Sequence, residues 1–277
     1  MAVKEAENIA EDRVLVMNII ADEGGYGSLA EAGVAALGAL LRRQKYGIHI
    51  EDPEGLSKGA IRARALSLEL IDRVKSVDPN FKTFDNADSL AEWAADEINE
   101  APAASAAPEL PPVSQQLLPF VLLTGTSGDT PDRPPSRQVL VDALTSSETP
   151  HVDTFLKATS RFEGSEIERE ANIKANAAVV LHSVTKETDS LGAIGETGWL
   201  ALQAYLNGQA FGVYVEYMDG ESKTPSNSAR ASLIEGLKKL KEDLPEAIHV
   251  ASSLEDLAAF GQRELAKRMP AEQKDTA

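Results

Sequence analysis

Three stretches of this sequence set glycines beside acids or hydroxyls where a strand would end and a helix begin. They are Asp22-Glu23-Gly24-Gly25-Tyr26-Gly27-Ser28-Leu29-Ala30-Glu31-Ala32-Gly33, Gly125-Thr126-Ser127-Gly128-Asp129, and Thr185–Gly195 running into Glu196-Thr197-Gly198-Trp199. In open parallel sheets, ligands bind at the carboxyl ends of strands, where glycine loops and helix N-termini converge. Glu31 has a structural reading beside the functional one, because Ser28-Leu29-Ala30-Glu31 has the spacing of a capping box. Glu196 has Ala193 where Glu31 has Ser28, so capping explains it less well; it also suits the first turn of a helix as an acid. No Gly-x-Ser-x-Gly nucleophile elbow surrounds Ser127, and no Gly-Lys-Ser/Thr of a phosphate loop follows.

Other chemistries are excluded by composition. The chain has no cysteine, which removes disulfides, thiolate metal sites and a cysteine nucleophile. The four histidines, His49, His151, His182 and His249, show no metal-ligand spacing, so neither a metal nor a cofactor is expected. A net charge of −17 argues against binding a nucleic-acid polymer or an anionic membrane surface. No stretch approaches the roughly 18 apolar residues of a membrane span, and the acidic N-terminus has no signal core. A cytoplasmic protein is the expectation.

The elements that must hold these loops repeat. Residues 14–51 align without a gap on 179–216, with Val14, Gly27, Glu31, Gly33, Ala36, Leu37, Ala39, Leu41, Gln44, Gly47 and Glu51 identical to their partners. Each copy begins with an apolar run, Val14–Ile20 or Ala178–Val184, that reads as a buried parallel strand. The glycine loop follows, then helices near 29–43 and 194–207 and strands at 47–50 and 212–215. Next come helices near 62–76 and 227–242, short strands at 82–84 and 247–250, and a closing helix in each copy. The second copy alone is preceded by a strand at 120–124 and a helix at 136–145; a helix near 165–176 then leads into its first strand, and the first copy begins inside the counterpart of that helix, at roughly 5–12. The spacing predicts an α/β chain of two tandem, related Rossmann/flavodoxin-like parallel-sheet domains, the first truncated. Its boundaries are 1–100, an Ala/Pro-rich linker at 101–116, the complete domain at 117–268 and a tail at 269–277. A truncated sheet leaves an edge to cover, so tight interdomain packing or a homo-oligomer is expected.

The second copy resembles the nucleoside 2-deoxyribosyltransferase family. The resemblance lies in Leu122-Leu123-Thr124-Gly125-Thr126, in Glu168-Arg169-Glu170-Ala171-Asn172-Ile173-Lys174-Ala175-Asn176, and in Val179–Val184 followed by Asp189, Gly192 and Glu196-Thr197-Gly198-Trp199-Leu200-Ala201. Asp189 lies seven residues before Glu196, one further than the family pattern, and Glu170 stands where the family often has Asp. The first copy, through Gly24-Gly25-Tyr26-Gly27-Ser28-Leu29-Ala30-Glu31, resembles a loop of the cytokinin-activating phosphoribohydrolase family, without that family's arginine motif. The resemblance implies cleavage or transfer at the N-glycosidic bond of a small nucleoside or nucleotide. Glu196 would be the nucleophile, assisted by Glu170 or Asp189, because positive charge building at the anomeric carbon is stabilised or trapped by a carboxylate. Gly125, Thr126, Ser127, Gly192 and Gly198 would shape the substrate site. Trp199 would wall the base or fill the core. Glu31, Gly25 and Gly27 are the equivalent candidates in the first copy. Neutral nucleosides suit the charge better than polyphosphates. The competing expectation is a catalytically inactive nucleoside- or nucleotide-binding or scaffold protein that keeps the fold alone.

Overall fold

The computed structural model describes residues 15–20, 26–51, 58–99, 117–126, 132–154, 172–188, 190–218 and 224–269. The segment 101–116 and residues 270–277 lie outside them. The fold is α/β with two parallel sheets. In the first, β1 (Leu15–Ile20), β2 (Lys45–Ile50) and β3 (Phe81–Thr83) pair in chain order, accompanied by α1 (Tyr26–Arg42), α2 (Lys58–Lys75) and α3 (Ala87–Asn99). The second contains β4 (Leu118–Gly125), β5 (His151–Asp153), β6 (Ala177–Val184), β7 (Ala210–Val215) and β8 (Ile248–Val250) in the order β5-β4-β6-β7-β8. Its helices are α4 (Pro135–Ser146), α5 (Leu191–Asn207), α6 (Pro225–Asp243) and α7 (Leu254–Arg268). β6 is buried along its whole length, as a central strand covered on both faces must be. Short edge strands and polar caps finish the layers. Ser253 Oγ accepts from Asp256 N at 3.1 Å at the start of α7, and Thr224 Oγ1 accepts from Asn227 N at 3.1 Å at α6.

The run β1-α1-β2-α2-β3-α3 has the element order of β6-α5-β7-α6-β8-α7. Helices α1 and α5, and strands β2 and β7, correspond end to end at the spacing seen in the sequence. The strands before them do not. Ile20 pairs with Ile50 while Val184 pairs with Val215, so β1 meets β6 one residue out of the gapless alignment. The extra residue falls between β6 and α5, and because strand faces alternate, Asn18 rather than Met17 takes the position of His182. A side-chain hydrogen bond recurs: Arg64 donates to the Glu51 carbonyl as Arg230 does to that of Glu216, tying α2 and α6 to the ends of β2 and β7.

The two sheets meet through helices. α1 packs on α5, α2 on α5 and α1 on α6, an exchange of partners that describes an approximate twofold relation. At its centre Gly33 and Gly198, equivalent in the repeat, bring the backbones of α1 and α5 together. A methyl group on Gly33 would lie 2.5 Å from Trp199 N, and one on Gly198 would lie 2.6 Å from Val34 N. Beside this crossing Trp199 is fully buried and donates from Nε1 to Leu29 O at 2.8 Å. One apolar cluster joins Leu37, Ile48 and Ile71 of the first half with Trp199, Leu202 and Leu233 of the second. Arg73 adds a polar tie, donating from Nη1 to Asn207 Oδ1 at 2.6 Å.

Candidate functional site

The chain leaves β4 through α4 to β5 on one side, then crosses to β6, β7 and β8 on the other. The order therefore reverses between β4 and β6, and the carboxyl ends of these strands form the topological switch point at which such sheets bind ligands. Gly125 ends β4 with φ of +123°, and a Cβ there would lie 2.6 Å from Ser183 N. Only glycine fits. Thr126, next in the chain, is buried in the gap: its Oγ1 accepts from Thr185 N at 2.9 Å and lies 2.7 Å from Ser190 Oγ. Ser190 in turn donates to Thr185 O at 3.0 Å, which holds it in a left-handed conformation (φ 52°) at the start of α5.

On the α4 side, Glu187 reaches across the gap. Its Oε1 accepts from Ser136 N at 2.7 Å, and its Oε2 accepts from Ser136 Oγ at 2.6 Å and from Thr185 Oγ1 at 3.0 Å. Deeper on this side Arg137 donates to Leu123 O at 3.0 Å, and Asp153 lies 3.3 Å from Arg137 Nε and 2.8 Å from Arg133 Nε.

On the opposite face, beneath α5, three polar side chains are buried together. Lys174 Nζ lies 3.4 Å from Glu196 Oε2. His182 is fully buried on β6 beside Thr124 of β4, with Nε2 2.9 Å from Ala193 O. A carbonyl only accepts, so Nε2 carries the proton and Nδ1, which has no hydrogen-bond partner, carries the lone pair. Gln209 fixes the residues before β6, donating to Lys174 O at 2.8 Å and Ala177 O at 2.7 Å, and so sets where the lysine stem begins. Burial pushes the His182 imidazole down to about 3, and the charges of Lys174 and Arg137 act in the same direction against the bond to Ala193. Because the folded-state value lies below the ordinary 6.5, the unfolded chain takes up a proton first as pH falls. His182 should therefore withdraw roughly 1.4 kcal/mol of stability per pH unit within the window from about 6.5 to about 3. Urea unfolding at pH 7 and pH 4.5 should show a smaller acid loss in His182→Gln than in wild type. Equal losses would assign the acid sensitivity elsewhere.

No family model, curated protein or solved structure matches the chain.

The site's geometry redistributes the sequence candidates. Gly125 and Thr126 stand at the switch point, and Gly192 lies in the first turn of α5. Ser127, Glu170, Asp189 and Gly25 lie outside the described residues. Glu196 is buried, but it is the sixth residue of α5 rather than an acid at the helix start, because the helix begins at Leu191. Trp199 is a core residue at the crossing of the two halves and walls no ligand; Gly198 serves the same crossing. In the first half, α1 begins at Tyr26, which puts Ser28 inside the first turn and removes the capping box with Glu31, an exposed side chain. Gly27 faces Ala229 of α6, where an added Cβ would lie 3.2 Å from that methyl. Sequence reading passed over Lys174, His182, Ser136 and Glu187. A signal for His182 and Ser183 was present: two polar residues in an otherwise apolar central strand. Among the described residues, no group of three His, Asp or Glu side chains is placed to hold a metal ion, and no helix is long and apolar enough to cross a membrane.

Proposed function

We propose that the second half binds a nucleoside at the β4/β6 switch point and breaks or transfers its N-glycosidic bond, with Glu196 as the carboxylate at the anomeric carbon. One observation carries this reading: Glu196 and Lys174 form a buried ion pair on the sheet face where Thr124 and His182 also meet. Desolvating two charges contributes little net stability, and apolar side chains of similar volume serve a core as well or better. A buried charge pair under the helix that packs on β4 and β6 is better explained by chemistry than by folding. The resemblance of Val179–Ala201 to the nucleoside 2-deoxyribosyltransferase family supports the same assignment of Glu196. The matching element order of the two halves supports reading them as copies of one ancestral unit, the first having no counterparts of β4 and β5 among its described residues.

A specific observation also favours binding without turnover: Lys174 already engages the Glu196 carboxylate. The two readings separate in one assay. Full-length protein is incubated with 2′-deoxynucleosides, with and without an acceptor base, and the products are resolved by chromatography. The catalytic reading expects base release or exchange, reduced at least about 10³-fold in Glu196→Ala. Saturable nucleoside binding with no product from either protein would leave a binding protein, and equal product from both would remove Glu196 from the chemistry.

A further inference from the structure

We propose that Glu187 determines ligand charge at the switch point: its carboxylate occupies the anion position at the N-terminus of α4 and reserves the site for ligands without a phosphate. The helix that follows the first strand of such a sheet points its free N–H groups at the switch point, where an anionic ligand group would sit. Here the position is filled from within the chain. Ser136 N, Ser136 Oγ and Thr185 Oγ1 all donate to the one carboxylate of Glu187, which arrives from the far side of the gap, 51 residues along the chain.

A second observation marks the cradle as a ligand position. Ser183 lies two residues before Thr185 on the same face of the sheet, and its hydroxyl is fully buried without a hydrogen-bond partner. A buried, orphaned hydroxyl suits a neutral polar group such as a sugar hydroxyl. A phosphate brought to the same place would face the Glu187 carboxylate and find its donors taken, a repulsion that discriminates between partners. The choice of a nucleoside as ligand rests on the function proposed above; the occupied anion position does not.

The test uses the full chain and two variants, Glu187→Ala and Glu187→Gln. Inorganic phosphate is titrated into each during thermal unfolding, against sodium chloride of equal ionic strength. Phosphate should raise the Tm of Glu187→Ala, where the cradle is vacated, leave wild type unmoved, and lose its effect when Ser136→Ala is added. Equal shifts in wild type and Glu187→Ala, or none in either, would overturn the assignment. Calorimetric titration then compares a nucleoside with its 5′-monophosphate. Wild type should prefer the nucleoside, and both variants should move the ratio at least about tenfold toward the monophosphate. A wild type that prefers the monophosphate overturns the proposal. If phosphate rescues Glu187→Ala while neither compound binds any form, Glu187 keeps its role and the nucleoside reading falls.

Discussion

Trp199→Ala should destabilise the protein by about 3–5 kcal/mol, and both halves should feel it. The indole is fully buried and its Nε1 satisfies Leu29 O across the α1–α5 crossing. Truncation leaves a cavity between helices of different sheets and an unpaired carbonyl at once. The close approach at Gly33 and Gly198 fixes the spacing there, so the helices cannot simply collapse into the space. The chain has two tryptophans, and in this variant only Trp93, on α3 of the first half, remains fluorescent. Its urea transition should shift together with the far-UV circular dichroism. A Trp93 transition unchanged from wild type would show that the first half holds itself together without the second.

Lys174→Met should cost a similar amount, about 3–5 kcal/mol, for an electrostatic reason. The substitution keeps the apolar stem and removes the cation, stranding the buried Glu196 carboxylate. The double variant Lys174→Met/Glu196→Leu should recover most of this loss in chemical denaturation, because it removes both charges from the interior. Stability and function should then part: a double variant as stable as wild type and devoid of base release would mean that the pair serves the site. A single Lys174→Met protein as stable as wild type would show that Glu196 finds another partner or solvent.

The parallel fold was legible because its signals are strong and local. Val179–Val184 is an unbroken apolar run apart from His182 and Ser183, and helices α1 and α5 carry the small and apolar residues of a close-packed pair. The helix starts were less legible. Ser28 and Glu31 have capping-box spacing, yet α1 begins two residues earlier, at Tyr26, because packing against α5 and α6 outweighs one local cap. The one-residue offset between β1 and β6 was hidden, since Val, Leu and Ile align equally well at either register while only backbone pairing distinguishes them. At the site, glycines and acids near strand ends pointed to the loops at Gly125 and Thr185, which the fold places side by side. The partners of those loops come from far along the chain: Glu187 joins Ser136, and Lys174 reaches Glu196 from before its strand. No spacing rule reports such pairs. Trp199 stayed open between base wall and core for the same reason, since its partner Leu29 belongs to the other half.

The most direct test of Glu196 as the nucleophile is residue-level mass spectrometry after incubation with a 2′-fluoro-substituted nucleoside. An electron-withdrawing substituent at the sugar destabilises the positive charge of both steps, so that a glycosyl–enzyme ester accumulates. The account predicts one added sugar, without its base, mapped by fragmentation to Glu196 and absent from Glu196→Ala. A sugar on Glu187 or another carboxylate, or released base with no adduct on Glu196 at any time, would contradict it.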